Sequence, residues 1–459
     1  MSAKKRTASL WLSVILLAAV LIAGCAGQQG GGASNPGTPQ NAGGSNESAS
    51  NGGGNSGGDG KVVINVMRPG DQPKVEAWLE PAKEAFNRNN PDIELVPNYE
   101  GWGGWIQKYP TLFNANTQPE IVFYWDAKLK DATAADKIVP LEGIVDQAVL
   151  DAMPKEILDN YGRIDGELLY LPATVDPMMM YYRKDLFEQA GLDPDNPPRT
   201  WDELLHAVRT ITEKTGKPGI GIPGKAGLEA LHEFISMFVY QANGHGWLDE
   251  NNKPIFNTPE SLQAMELIGE LAKYSQDGLT EYGRGELRPL FRDGEIGIIF
   301  ESAWPIPLFQ EKYGLDLDAS PIGIVAPPQG PSGKVNWGAT NGWIITRKDK
   351  AEAAGKVLSF LSTPEQLYKH HIAYGNAPII DYELEQPEYQ YDYWKRFNEV
   401  INTWKLIPQI GTYHPNPKGF YTELEPVWQS FLLGQIGPRE TLDLAEEKAI
   451  QINRRAGIE

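Results

Sequence analysis

Lys61-Val62-Val63-Ile64-Asn65-Val66, Ile93-Glu94-Leu95-Val96 and Glu120-Ile121-Val122-Phe123-Tyr124 are three short apolar runs, and the text between them has the period of helices. The first run is rich in β-branched residues and stops at Pro69-Gly70. A helical pattern then follows through Val75, Trp78, Ala82 and Phe86. Strand and helix alternating in this way predict an α/β fold with a largely parallel, doubly wound sheet. Ligands of such sheets lie beyond the carboxyl ends of the strands, which directs attention to Arg68, to Tyr99 through Trp105, and to Trp125-Asp126.

Further along, Leu169–Leu171 and Met178–Tyr182 read as strands. Thr200 and Glu203 form a capping box that opens a helix, and Thr258-Pro259-Glu260 opens another. Asp249 to Lys253 reads as the turn of a hairpin. Gly294-Glu295-Ile296-Gly297-Ile298-Ile299-Phe300 reads as a strand that delivers Glu301 and Trp304 at its carboxyl end. Two more strands are expected at Ile322–Val325 and Trp343–Ile345, with mostly helical text after Tyr391. No fixed-period repeat occurs, which argues against solenoids and propellers.

Before this folded text the chain has a different character. Lys4, Lys5 and Arg6, an apolar run from Leu10 to Ile22, and Ala23-Gly24 ahead of Cys25 describe an export leader over 1–24. Cys25 is the single cysteine of the 459 residues. The stretch resembles a bacterial lipobox, which implies that Cys25 is lipidated and anchors the protein to the outer face of the cell membrane. From Ala26 to Gly60 the text is almost entirely Gly, Ser, Asn, Gln, Ala and Pro, a coil about 30 to 35 Å in span. With no second cysteine there is no internal disulfide, so stability comes from core burial. The formal net charge is −19 and becomes more negative once the leader's three cations leave. Nucleic acid is thereby excluded as a partner.

Several motifs match chemistry only in part. Gly54-Asn55-Ser56-Gly57-Gly58 fits the serine-hydrolase elbow but sits in the coil, without the strand and helix the motif needs. Gly219-Ile220-Gly221-Ile222-Pro223-Gly224-Lys225-Ala226 approaches a phosphate loop, yet it follows a helix and has Ala226 where a metal-binding hydroxyl belongs. His232-Glu233 begins like a zincin helix and lacks the second histidine, and the adjacent His370 and His371 face different helix sides. No metal or cofactor is expected, and no nucleophilic triad. Asp126, Asp176 and Glu301 at predicted strand ends leave a carboxylate-pair glycosidase open as an alternative.

Aromatic placement stands out more. Of 13 tryptophans, Trp102, Trp105, Trp125, Trp304 and Trp337 fall in predicted loops or strand ends, while Trp78 and Trp201 sit in helices and read as core. Pyranose rings offer C–H faces to indole, and their hydroxyls need in-plane partners such as Asp, Glu and Arg. Trp125 with Asp126, and Trp304 with Glu301, supply both.

Gly166-Glu167-Leu168-Leu169-Tyr170-Leu171-Pro172, then Tyr182-Arg183-Lys184-Asp185-Leu186-Phe187, then Pro198-Arg199-Thr200-Trp201-Asp202-Glu203-Leu204 resemble, in that order, the family 1 extracellular solute-binding proteins of bacterial ABC importers, among them maltodextrin-binding protein. Pro119-Glu120-Ile121-Val122, Asn341-Gly342-Trp343 and Gly375-Asn376-Ala377-Pro378 extend the resemblance over 61–459. It implies two α/β lobes around a ligand cleft: lobe one at 61–173 plus 320–373 and lobe two at 174–319 plus 374–459. The hinges would lie at Pro172–Asp176, Leu317–Pro321 and Tyr374–Pro378. It places ligand contacts at Trp125, Asp126, Asp176 and Trp304, and more loosely at Tyr240. Trp102 and Trp105 correspond to a cleft loop, Trp343 lies beside a hinge, and Arg68 stands where many members carry tryptophan. The implied protein is a monomeric sugar receptor that hands a mono- or oligosaccharide to an ABC permease. A peptide or polyamine ligand would share the fold, and a uronate would call on Arg68 or Arg183.

Overall fold

The computed structural model describes residues 60–125, 137–164, 166–227, 230–410 and 414–458. The leader, Cys25, the Gly/Ser/Asn-rich coil and Asp126 lie outside the described residues, as does the side chain of Trp102.

The three opening runs form the expected parallel sheet. β1 (Val62–Pro69) lies between β2 (Ile93–Glu100) and β3 (Ile121–Trp125), in register from Val62 opposite Ile93 to Pro69 opposite Glu100. Between β1 and β2 the helix Gln72–Asn89 buries Val75, Trp78, Leu79, Ala82 and Phe86, a stripe at the spacing of one helix face. β4 (Arg163–Ile164) and β5 (Glu167–Leu168) make a small hairpin. The chain then enters β6 (Leu171–Pro177), and β7 (Met179–Arg183) follows after a single residue.

β7 is the centre of a second sheet, flanked by β8 (Ile298–Glu301) and β9 (Ile322–Val325), all antiparallel. Its period of two sends Met180, Tyr182, Ile298 and Phe300 into a core shared with the helices Ala230–Asn243, Pro259–Ala272 and Pro417–Leu432. Met179, Tyr181, Ile299, Ile322 and Ile324 go the other way, into a core continuous with that of the first sheet. β9 was expected in lobe one; its pairing with β7 puts it in the second sheet instead.

The return comes one strand later. β10 (Val335–Ile345) is 11 residues long, about 37 Å at strand rise, and serves both bodies. Its Val335, Trp337 and Ala339 pack in the second core, whereas Trp343 and Ile345 pack in the first. β6 runs antiparallel along it from Pro177 opposite Gly338 to Leu171 opposite Trp343, and β11 (Lys405–Ile407) pairs parallel with its beginning. The β6–β10 ribbon is therefore the link, which replaces the expected crossing at Leu317–Pro321. At the bulge in this ribbon only glycine fits: a Cβ on Gly342 would stand 2.2 Å from the Leu171 carbonyl oxygen.

The caps form as expected. Glu203 N–H donates to Thr200 Oγ1 at 3.3 Å while Thr200 N–H donates to Glu203 Oε2 at 3.1 Å, and Ser261 N–H donates to Thr258 Oγ1 at 3.1 Å. The glycine-rich 219–226 segment has a packing reason. Gly219 lies against the helix Trp201–Thr215, where a Cβ would be 2.0 Å from the Val208 carbonyl oxygen. Among the described residues no helix is long and apolar enough to cross a membrane, and no group of three or more His, Asp or Glu side chains could hold a metal.

Candidate functional site

β3 of the first sheet and β8 of the second both end at one place. Trp125, the last residue of β3, is half-buried and stacks on Tyr421 of the helix Pro417–Leu432, with ring centroids 6.5 Å apart and planes 29° apart. Tyr421 is packed against the second core, so this contact joins the two bodies. Its hydroxyl donates to Gln409 Oε1, and the Gln409 amide donates to Glu233 Oε1 at 2.6 Å. The other Glu233 oxygen pairs with Arg284.

From Arg284 the array continues to the end of β8. Arg284 Nε lies 3.3 Å from Glu301 Oε2, and its guanidinium is 5.0 Å from the ring centroid of Trp304. Arg288, one helical turn on, donates from Nε and Nη2 to the two Glu301 oxygens, both at 2.9 Å. Glu233 and Glu301 are 4% and 2% exposed, so each carboxylate is buried against arginine, as desolvated charges must be. Behind Tyr421, His232 Nε2 donates to the Tyr421 carbonyl at 3.1 Å and Nδ1 accepts from Trp428 Nε1 at 3.0 Å. Burial pushes the His232 imidazole down to about 4, so it stays neutral with one tautomer fixed by its two neighbours.

Of the expected residues, Trp125, Glu301 and Trp304 come to this array. Arg68 does not. It is buried in lobe one, donating from Nε to His370 Nε2 at 3.1 Å, with its guanidinium 3.8 Å from the Phe123 ring centroid and 4.0 Å from that of Tyr374. Trp343 is core, its centroid 4.7 Å from that of Phe123. Trp105 packs on Tyr109 in a small cluster with Met67 and Tyr124. Tyr240 is buried in the helix Ala230–Asn243, and Trp337 is fully buried within β10. For these five the same cause holds: an aromatic or amphipathic side chain beside a cleft loses more by exposure than it gains there, and the core claims it. Arg183 is likewise occupied, by Asp185 and by the carbonyls of Phe291 and Arg292.

Asp176 lies in the β6 crossing strand and is fully buried. It accepts from Thr174 Oγ1 at 3.0 Å and from Ser302 Oγ at 3.3 Å, the latter just beyond β8. Burial raises its carboxyl to about 6 against the pull of those two bonds. The sign is then fixed. Between about pH 4 and 6 the folded carboxyl keeps a proton that the unfolded chain has released, so stability is lost as pH rises through that window. Asp176→Asn is expected to remove this dependence, shifting the variant-minus-wild-type stability difference by roughly 2 kcal/mol between pH 4 and 7. Parallel urea-unfolding profiles for the two proteins across that range would disprove it.

Gln409, Tyr421, Glu233, Arg284 and Arg288 were not foreseen. Two signals were available: a glutamate, Glu233, inside a largely apolar helix, and two arginines four residues apart on the helix Arg284–Arg292 just before β8. Gln409 and Tyr421 gave none, since they reach the site only through the fold.

The profile of the family described as bacterial extracellular solute-binding protein matches residues 70–368. The chain belongs to that family. It is accordingly a binding protein and not an enzyme, and it is exported. A putative binding protein of Brucella abortus is 27% identical over 389 residues, 83% of this chain and 91% of its own length. The sn-glycerol-3-phosphate-binding periplasmic protein of Salmonella typhimurium is 26% identical over 406 residues, covering 81% and 88%. Among solved structures, the cyclic alpha-maltosyl-1,6-maltose binding protein from Arthrobacter globiformis superposes with a TM-score of 0.73 at 23% identity, over 86% of this chain and all of that one. The array between Trp125 and Trp304 lies at the ends of β3 and β8, one strand from each sheet.

Proposed function

We propose that this solute-binding protein captures a saccharide between its lobes and delivers it to the membrane subunits of an ABC importer. The observation that carries the reading is the array itself. Trp125 with Tyr421 and Trp304 offer ring faces for pyranose C–H groups, and Glu233, Glu301, Arg284 and Gln409 offer in-plane hydrogen-bond partners for hydroxyls. The cyclic maltosyl-maltose binding of the Arthrobacter structure agrees with this chemistry. Lobe one comprises 61–173 with the later part of β10 and the helices up to 373, and lobe two the second sheet with the C-terminal helices. Closure about the β6–β10 ribbon brings Trp125 onto its partners, and ligand favours the closed state because only there do both lobes touch it. By its place in the sequence, next after Trp125, Asp126 is included in this proposal.

Titration calorimetry with neutral mono- and oligosaccharides tests the site. Trp304→Ala and Trp125→Ala are each expected to weaken the tightest-binding sugar at least about ten-fold, since a lost stack or buried hydrogen bond is worth ~1 to 3 kcal/mol. Unchanged affinity in both would remove the site from these residues. The receptor acts as a monomer, tethered through lipid on Cys25. Incorporation of a palmitate analogue that persists in Cys25→Ser would overturn the anchor.

A further inference from the structure

We propose that Glu233 and Glu301 form a charge filter: by neutralising Arg284 and Arg288 they fit the binding site to uncharged hydroxylated ligands and exclude phosphate esters. The inference rests on the site assignment above and adds the ligand's charge to it. Two guanidinium groups at a strand end resemble the start of an oxyanion cradle, because a planar fork matches phosphate bidentately. Here the forks are taken. Both donors that Arg288 directs at Glu301 meet its two oxygens at 2.9 Å, and Arg284 spans Glu233 and Glu301 with its Cζ 5.0 Å from the Trp304 ring centroid. The arginine side chains are 14% and 22% exposed and the carboxylates 5% and 3%. The cations therefore cannot swing out to a phosphate without stranding two buried anions.

A phosphate dianion entering beside Trp304 would meet two carboxylates at short range in a poorly solvated site, where like charges repel strongly. A sugar hydroxyl meets the opposite situation. Carboxylate oxygens hold about four lone-pair sites between them, so Glu301 can accept from a ligand O–H while keeping its arginines. The contrast matters within this family, in which a 26% identical relative is named for binding sn-glycerol 3-phosphate.

The test is equilibrium titration of the whole protein with sn-glycerol 3-phosphate and with inorganic phosphate. Wild type is expected to show no saturable binding at millimolar concentration. Glu301→Gln, and more strongly Glu233→Gln/Glu301→Gln, should acquire saturable glycerol 3-phosphate binding, at least about ten-fold tighter than any residual wild-type signal and weakened by salt. Adding Arg288→Gln to Glu301→Gln restores neutrality and should abolish the gain. Saturable phosphate-ester binding by wild type overturns the filter without any variant. So does absence of binding by Gln variants that melt cooperatively; if Glu301→Gln does not fold, Glu233→Gln alone decides. A wild type that binds neither phosphate nor neutral sugars, with Gln variants that do gain glycerol 3-phosphate binding, refutes the saccharide reading and leaves the exclusion of phosphate standing; sugar binding by wild type with no gain in the Gln variants refutes the filter alone.

Discussion

Arg284→Ala is expected to lower stability by about 3 to 5 kcal/mol, because it leaves a buried carboxylate without its counter-charge. Arg288 still pairs with Glu301 through two bonds. Glu233, 4% exposed, would lose its guanidinium counter-charge while keeping the Gln409 amide. The same change removes one of the proposed hydroxyl partners and lets the Tyr421–Gln409–Glu233 chain relax, so saccharide affinity should fall about a hundred-fold, the loss of two contacts at ~1 to 3 kcal/mol each. A double-mutant cycle separates the causes. Glu233→Gln/Arg284→Ala removes the stranded charge and should recover most of the stability, though not the affinity. Equal urea midpoints for the single and double variants would show that the penalty does not come from Glu233.

Glu383→Ala is expected to cost a similar ~3 to 5 kcal/mol, beside β6. His371 and Glu383 form a fully buried pair, Nδ1 to Oε1 at 2.6 Å, while His371 Nε2 faces the Ala173 carbonyl of β6 at 2.5 Å. Carboxylate and carbonyl both only accept, so both ring nitrogens donate and the imidazole is the cation. Burial opposes that charge, but the charge and hydrogen bond of Glu383 and the Ala173 carbonyl prevail and raise its pKa above the ordinary histidine value. The second Glu383 oxygen accepts from Ile379 and Ile380 N–H at 2.9 and 3.3 Å. The pair thus holds the segment after the helix Pro364–Tyr374 to the crossing strand. A histidine raised on folding contributes its full stability below the unfolded pKa and loses it as pH rises through the folded one. The Glu383→Ala penalty should therefore be greatest on the acid side and shrink toward alkaline pH. Glu383→Gln, which keeps an acceptor for the two amides, should cost less. A penalty that is flat with pH would mean that the pair is not ionic.

These two networks mark the boundary of what was legible. The parallel order of β1 to β3, the helix caps and the strand ending in Glu301 follow from period and local propensity, which act over a few residues. The expectation for 320–373 failed at β9 because a four-residue apolar strand carries no label for its sheet; pairing with β7 is a property of the partner. Trp105 and Trp343 look like Trp125 in the sequence, yet one side chain meets Tyr109, another Phe123, and the third Tyr421. Which face an indole turns to is settled by neighbours far away in the chain. The sequence points to Arg68 and Arg183, whereas Arg284 and Arg288 join the array with Glu233 and Glu301, since the outcome depends on which carboxylates are brought close.

By itself the sequence determined the alternation of strand and helix, the Gly-x-x-x-Tyr-Leu-Pro, Tyr-x-Lys-Asp-Leu-Phe and Pro-x-Thr-Trp-x-Glu-Leu order that marks the family, and the residue types suited to a sugar. Each of these is written in contiguous residues and survives without knowledge of contacts. Tertiary structure alone decided that β10 serves both cores, that Asp176 is a β6 carboxyl sealed from water, and that Glu233, Gln409 and Tyr421 join Trp125 to Trp304. Those positions are separated by up to about three hundred residues, and their meeting is set by how two sheets and their helices pack, a long-range outcome that no local pattern encodes.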